Sequence, residues 1–191
     1  MARLSKLLNL KYTVDSNEEL KNIIKYICSI NNTANLNWLD VSNITSMRYL
    51  FFGTDFNGDI SEWDVSNVLD MRYIFDQCIH FNQPLNNWDV SNVKDMYGAF
   101  MSCINFNQPL NNWDVSNVCT MQSMFEYCKN FNQPLNNWNV SKVTNISFMF
   151  SLCEKFNQDI SNWNIQNVNL RTDTFRQCPI LAKYKPKKSR K

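Results

Sequence analysis

Five cysteines, Cys78, Cys103, Cys128, Cys153 and Cys178, stand at intervals of 25 residues. Thiols so arranged could ligate a metal or close disulfides, yet no CxxC pair accompanies them and no second ligand type falls at metal spacing. In-register stacking would set their Cβ atoms about 4.8 Å apart, wider than the roughly 3.5–4.5 Å of a disulfide. They therefore read as buried reduced thiols in the role of small apolar residues. Cys28 and Cys119 lie off the column and are the better candidates for modification. Asp64, Asp89, Asp114, Asn139 and Asn164 form a second column. Like charges facing one another repel, so these side chains must face water, accept backbone N–H groups or hold a cation. The acceptor role in the adjacent Ser-Asn-Val turn suits Asp and Asn alike; a calcium stripe is the alternative. His80, the only histidine, has no partner at nucleophile spacing. Gly53, Gly58 and Gly98 are too scattered to cradle a phosphate. We expect no catalytic residue, no metal and no cofactor, and hence a protein that is not an enzyme.

The columns are positioned by an internal repeat, which takes precedence over any local reading. FNQPLNNWDVSNV runs from Phe81 to Val93 and returns from Phe106 to Val118. Trp63, Trp88, Trp113, Trp138 and Trp163 keep the same interval, as do Phe75, Phe100, Phe125, Phe150 and Phe175. The first copy is edited: LNWLDVSNI aligns one residue out of step, placing Leu39 in the tryptophan column and turning Trp38 outward. Trp88 and Val90 have the two-residue period of a strand, whereas Met96, Phe100 and Cys103 have the spacing of a helix. Ser46, Asp70, Asp95, Thr120 and Asn145 precede that second segment and are good N-cap types. The spacing predicts an α/β repeat solenoid of about six coils over residues 36–182, each with one short parallel strand and one short helical turn. The last coil departs at Leu170 and Arg171, as terminal repeats do.

Two flanks differ from the repeats. In SNEELKNIIKYICSI, Ser16 and Glu19 have capping-box spacing, and Leu20, Ile23, Ile24 and Ile27 form one apolar stripe. The expectation for residues 1–35 is an N-terminal segment with a helix that caps the first coil. At the other end KYKPKKSRK, residues 183–191, should be a disordered basic tail; Lys185, Lys187, Lys188, Arg190 and Lys191 could contact phosphates or serve as a nuclear import address. The net charge of the whole chain is only +2, so the body without this tail is acidic. With 44% hydrophobic and 14% aromatic residues the chain can build a core. No apolar run is long enough for a membrane span and MARLSKLLNL lacks a cleavage site, so the expected location is intracellular.

FNQPLNNWDVSNVKDMYGAF, with the preceding FDQC and the helix leading into LNWLDVSN, resembles a bacterial surface-protein repeat of about 25 residues, the mycoplasma lipoprotein-associated repeat. That repeat is similar in turn to BspA-like leucine-rich repeats. The resemblance covers residues 12–181 and implies a leucine-rich-repeat-like architecture, found in surface proteins of wall-less bacteria and in some large DNA viruses, with roles in adhesion or protein interaction. It brings no catalytic site. Because this chain has no recognisable signal or lipobox, an intracellular or viral member, with the host nucleus or virion as location, is the easier fit.

What varies between repeats points to function. One variable column holds Tyr73, Gly98, Ser123, Phe148 and Asp173, and another holds Gln77, Ser102, Tyr127, Leu152 and Gln177. If the constant residues point inward, Tyr73, Tyr97, Tyr127, Phe148 and Leu152 form an exposed partner-binding patch; packing between adjacent helical turns is the alternative. The reading is a protein-interaction scaffold with an unidentified protein partner. A structural or self-assembling component, and a tail-driven nuclear or nucleic-acid-associated protein, are the other two.

Overall fold

The computed structural model describes residues 11–188. Among them are β1 (Tyr12–Thr13), α1 (Asn17–Ile30), β2 (Leu39–Asp40) and a single 3₁₀ turn at Ala182–Tyr184. The repeats themselves consist of turns and isolated parallel bridges. The expected α/β solenoid, leucine-rich-repeat-like with a strand and a helical turn in every coil, is therefore not the architecture of this chain.

The helical expectation fails because two residues per repeat take the left-handed backbone. Tyr73 and Gln77 have φ of 56° and 61°, Ser123 and Tyr127 54° and 63°, Phe148 and Leu152 59° and 62°. A left-handed residue every fourth position cannot continue an α-helix. Instead Ile74 N–H donates to Met71 O and Cys78 N–H to Phe75 O, closing turns with the left-handed residue third, the arrangement of a type II turn. The N–H groups between them point sideways. Met71, Tyr73, Phe75 and Gln77 donate to Asp95, Tyr97, Ala99 and Met101 of the next repeat at 2.8–2.9 Å. The same four bonds recur at every later boundary up to Leu152 N–H to Arg176 O. Such turns also place residues three and four apart on one side, so Met96, Phe100 and Cys103 are all buried without being helical.

The strand expectation fails for a related reason. Trp88 and Val90 are buried and Asp89 is exposed, as alternation requires. The run then ends at once, because Asp89 Oδ1 accepts the Ser91 N–H at 3.0 Å and Val93 N–H turns back to Val90 O. Parallel bridges form elsewhere, along Ser46, Asp70, Asp95, Thr120, Asn145 and Leu170. All but Leu170 are the expected N-caps. Their side chains do accept a backbone N–H two residues on, as in Asp70 Oδ1 from Arg72 and Asn145 Oδ1 from Ser147, but they open a run of turns.

Stacking of like on like builds the core. Phe51, Phe75, Phe100, Phe125, Phe150 and Phe175 stack with ring centroids 5.3–5.8 Å apart. Each indole from Trp63 to Trp163 donates to the preceding repeat, Trp113 Nε1 to Leu85 O at 2.8 Å and Trp138 Nε1 to Leu110 O at 2.9 Å. Each column thiol donates likewise, Cys103 to Phe75 O and Cys128 to Phe100 O at 2.9 Å. Asn82, Asn107 and Asn132 carry a third ladder, each Oδ1 accepting the N–H of the next asparagine.

At the N-terminal end α1 begins with Ser16 Oγ accepting Glu19 N–H. Glu19 reaches back to Asp15 N–H and also accepts the Tyr12 hydroxyl at 2.6 Å. Leu20 and Ile24 are buried in the shared core, and Asn17 Oδ1 accepts Ser46 N–H. Leu39 is fully buried in the tryptophan column as expected, whereas Trp38 does not face out; it is half-buried beside Tyr12. At the other end, part of the expected disordered tail is held in place. Ile160 N–H donates to Tyr184 O, and Lys185 Nζ lies 5.3 Å from the Phe175 ring centroid. Tyr184 supplies the apolar surface that the charge-rich segment otherwise lacks.

Candidate functional site

The left-handed positions carry the variable columns, so the variable side chains leave the repeats from a fixed backbone frame. Tyr73 and Tyr97 are half-buried and lie 4.7 Å apart. Tyr49 stacks on the other face of Tyr73 at 4.8 Å with planes 3° apart. Phe52 meets Tyr49 edge-on at 5.6 Å, and the Arg48 guanidinium sits 4.9 Å over the Tyr49 ring. Tyr49 and Phe52 are 40% and 45% exposed, which opens this ladder to solvent. The space comes from Gly98, left-handed at φ 60°, where a Cβ would stand 2.6 Å from the Tyr73 ring. Burial first, and then the hydrogen bond with Tyr97, push the Tyr73 phenol well above its ordinary value, so it stays neutral. Beside it, burial would raise the Asp70 carboxyl, but the hydrogen bonds of Arg72, one at 2.6 Å, hold it below its usual range.

The other three expected patch residues stand apart from this ladder. Tyr127 is exposed and carries Lys129 Nζ 4.9 Å over its ring, with Lys129 paired to Glu154 at 2.8 Å. Phe148 and Leu152 are half-buried at their left-handed positions, and among the described residues no ring contact joins Tyr127 or Phe148 to the tyrosines. Sequence reasoning missed Tyr49 and Phe52. The signal was present, since Tyr49 occupies the Tyr73 column once the edited first copy is aligned. It also missed a groove of about 590 Å³ between α1 and the first repeat, lined by Tyr12, Ile23, Tyr26, Ile30 and Trp38, where Tyr26 is 67% exposed.

The remaining columns are structural in their contacts. Asp64, Asp89 and Asp114 each accept the N–H of the serine two residues on, and Asn139 does the same. Burial pushes the Cys78 thiol up to about 12 and raises Cys103 and Cys153 well above the ordinary thiol range. Cys119 is exposed. His80 Nε2 lies 3.9 Å from Asp55 Oδ1 on an exposed loop. Among the described residues no group of three or more His, Cys, Asp and Glu is placed to hold a metal ion, and no helix is long and apolar enough to cross a membrane. Of the basic tail, Lys187 is exposed and Lys185 and Lys188 are half-buried; Arg190 and Lys191 lie outside the described residues.

A family model described as "Mycoplasma protein of unknown function, DUF285" matches the chain twice, over residues 18–118 and 85–185. No curated protein and no solved structure matches. The two overlapping matches take in α1 and the repeats together, and the chain belongs to the DUF285 family of mycoplasma proteins of unknown function.

Proposed function

We propose that the chain is a non-enzymatic scaffold that binds a protein partner through the left-handed turn face, with the Tyr49–Tyr73–Tyr97 ladder as its main contact and Tyr127, Phe148 and Leu152 as separate contacts in later repeats. The observation that carries this reading is the choice of residue. Tyr49 and Tyr73 sit at φ 58° and 56°, where a bulky side chain costs roughly 1–2 kcal/mol. Asparagine or glycine would hold the same turn with less strain. Keeping two tyrosines there, stacked and partly exposed, fits a surface made for contact, since partly buried aromatics dominate interface energetics. The test is affinity capture with Y49N/Y73N, which preserves the backbone preference. Loss of the captured partner with unchanged folding supports the scaffold; equal capture refutes the site.

The finer kinship, to BspA-like repeats in bacteria or large DNA viruses, belongs to the same proposal and is supported by the repeat motif alone. So does a location inside the cell, the host nucleus or a virion. The basic segment from Lys185 favours a second reading, contact with nucleic acid. A chain ending at Ala182 that keeps its location and its salt-sensitive binding would remove that reading.

A further inference from the structure

At every boundary the run of turns sets a row of four N–H donors against a row of four carbonyls of the next repeat, with a bond such as Lys94 N–H to Leu69 O returning just before it, and each end of the stack leaves one row of four over. At the C-terminal end the N–H groups of Arg171, Asp173, Phe175 and Gln177 have no acceptor among the described residues. Their counterparts Ile146, Phe148, Phe150 and Leu152 all donate, at 2.8–2.9 Å. At the N-terminal end the carbonyls of Ser46, Arg48, Leu50 and Phe52 have no donor among the described residues, while their counterparts Asp70, Arg72, Ile74 and Asp76 all accept. The two rows match in residue spacing, and Phe175 stands in the same column as Phe51.

The ends differ in what covers them. On the first repeat, α1 is seated with Asn17 on Ser46 N–H and with Leu20 and Ile24 buried, so the core is closed there. On the last repeat Leu170 is 58% exposed and Leu181 45%, and Phe175 is only partly buried. Along Arg171–Gln177 the edge offers four N–H groups against one open carbonyl, Asn169 O, so a symmetric contact between two C-terminal ends would leave most of these donors unpaired. An extended peptide would fit poorly, because consecutive turns shorten the spacing between N–H groups relative to a strand. The complement with the right spacing is another run of the same turns.

We propose that the Arg171–Gln177 edge is a docking surface for the first repeat of a second copy of this chain, which it accepts when α1 of that copy is displaced. The contact would pair Arg171, Asp173, Phe175 and Gln177 N–H with Ser46, Arg48, Leu50 and Phe52 O, and stack Phe175 on Phe51 once the Lys185 side chain, 5.3 Å from the Phe175 ring centroid, swings aside. It is head-to-tail, so copies with displaced helices add in an open series, and a seated α1 ends the series.

The test uses the full chain carrying L20D/I24D, which unseats α1 by placing carboxylates in its buried stripe. Analytical ultracentrifugation should show a mean mass that at least doubles and keeps rising with concentration, while the unmutated chain stays monomeric. Adding an equimolar amount of the unmutated chain should shorten the oligomers toward dimers, because it offers a free C-terminal edge but a covered first repeat. The triple variant L20D/I24D/F175D should remain monomeric. Oligomers indifferent to the unmutated chain, or persisting in the triple variant, would show aggregation and overturn the proposal, as would a monomeric L20D/I24D that keeps its buried tryptophan fluorescence. If L20D/I24D loses that fluorescence, the milder N17A/L20A takes its place, and a monomer there at every concentration also overturns it.

Discussion

Asp76 offers a stability test whose size follows from its surroundings. It is 3% exposed, and its Oδ1 has no hydrogen-bond partner among the described residues. Burial pushes its carboxyl up to about 6; the Gln77 N–H opposes this and the charge of Glu126 adds to it. An unfolded aspartate titrates near 3.9, so the group is about two pH units out of place, worth about 3 kcal/mol. The sign follows from the direction. The folded state favours the protonated acid, so nothing is lost below about pH 4, stability falls as pH rises from about 4 to 6, and the full penalty applies above that. Asp76→Asn keeps the volume and removes the charge. It should stabilise the chain by about 2–3 kcal/mol at pH 8, or about 5–10 °C in Tm for a domain of this size, and by close to nothing at pH 4. Urea denaturation of both proteins at pH 4, 6 and 8 measures this directly. Asp70, Asp114 and Asp159 are held below their ordinary range, and they act equally in both proteins. A difference that does not grow with pH would refute the reasoning.

Other positions give independent checks. Gly98→Ala should cost roughly 1–2 kcal/mol in denaturation, because the new methyl meets the Tyr73 ring and the backbone is left-handed. Trp113→Phe removes the indole donor of the Leu85 carbonyl, which keeps the Trp88 N–H, and should lose about 0.5–1.5 kcal/mol beyond the change in ring size, read by the same assay. A thiol reagent at pH 8 should label Cys119 quickly, while Cys103, Cys128 and Cys153 react only at the rate of unfolding, since they are buried and shifted away from the thiolate. Ser16→Ala should lower stability by about 1 kcal/mol through the lost cap on α1.

The columns were legible in the sequence because identity at a fixed interval can only mean that equivalent side chains meet. Trp113, Phe125 and Cys128 are buried where their columns required. Asp89 and Asn139 were legible as turn acceptors because both residue types share that one ability. The backbone between them was not. Spacings of four and three describe a helix and a pair of type II turns equally well, and Tyr73 or Leu152 gives no sign of a left-handed φ, which glycine usually announces. Two glycines were hints: Gly98 shares a column with Tyr73 and Phe148, and Gly53, at φ 65°, shares one with Gln77 and Leu152 once the first copy is aligned. A strand at Trp88 was not legible either, because alternation over three residues does not say whether a ladder continues. The Tyr49–Tyr73–Tyr97 ladder was half visible: two of its rings were named from variable positions, and the third was hidden by the edited first copy.

The claim that a protein partner docks on the tyrosine ladder is tested most directly by site-specific photocrosslinking in the native cell. A photoreactive phenylalanine would replace Tyr73 in one chain and the exposed Asn87, among the amides that recur from repeat to repeat, in another. The account predicts one discrete crosslinked partner from position 73 and none from position 87. The same partner from both positions, or none from position 73, would contradict it.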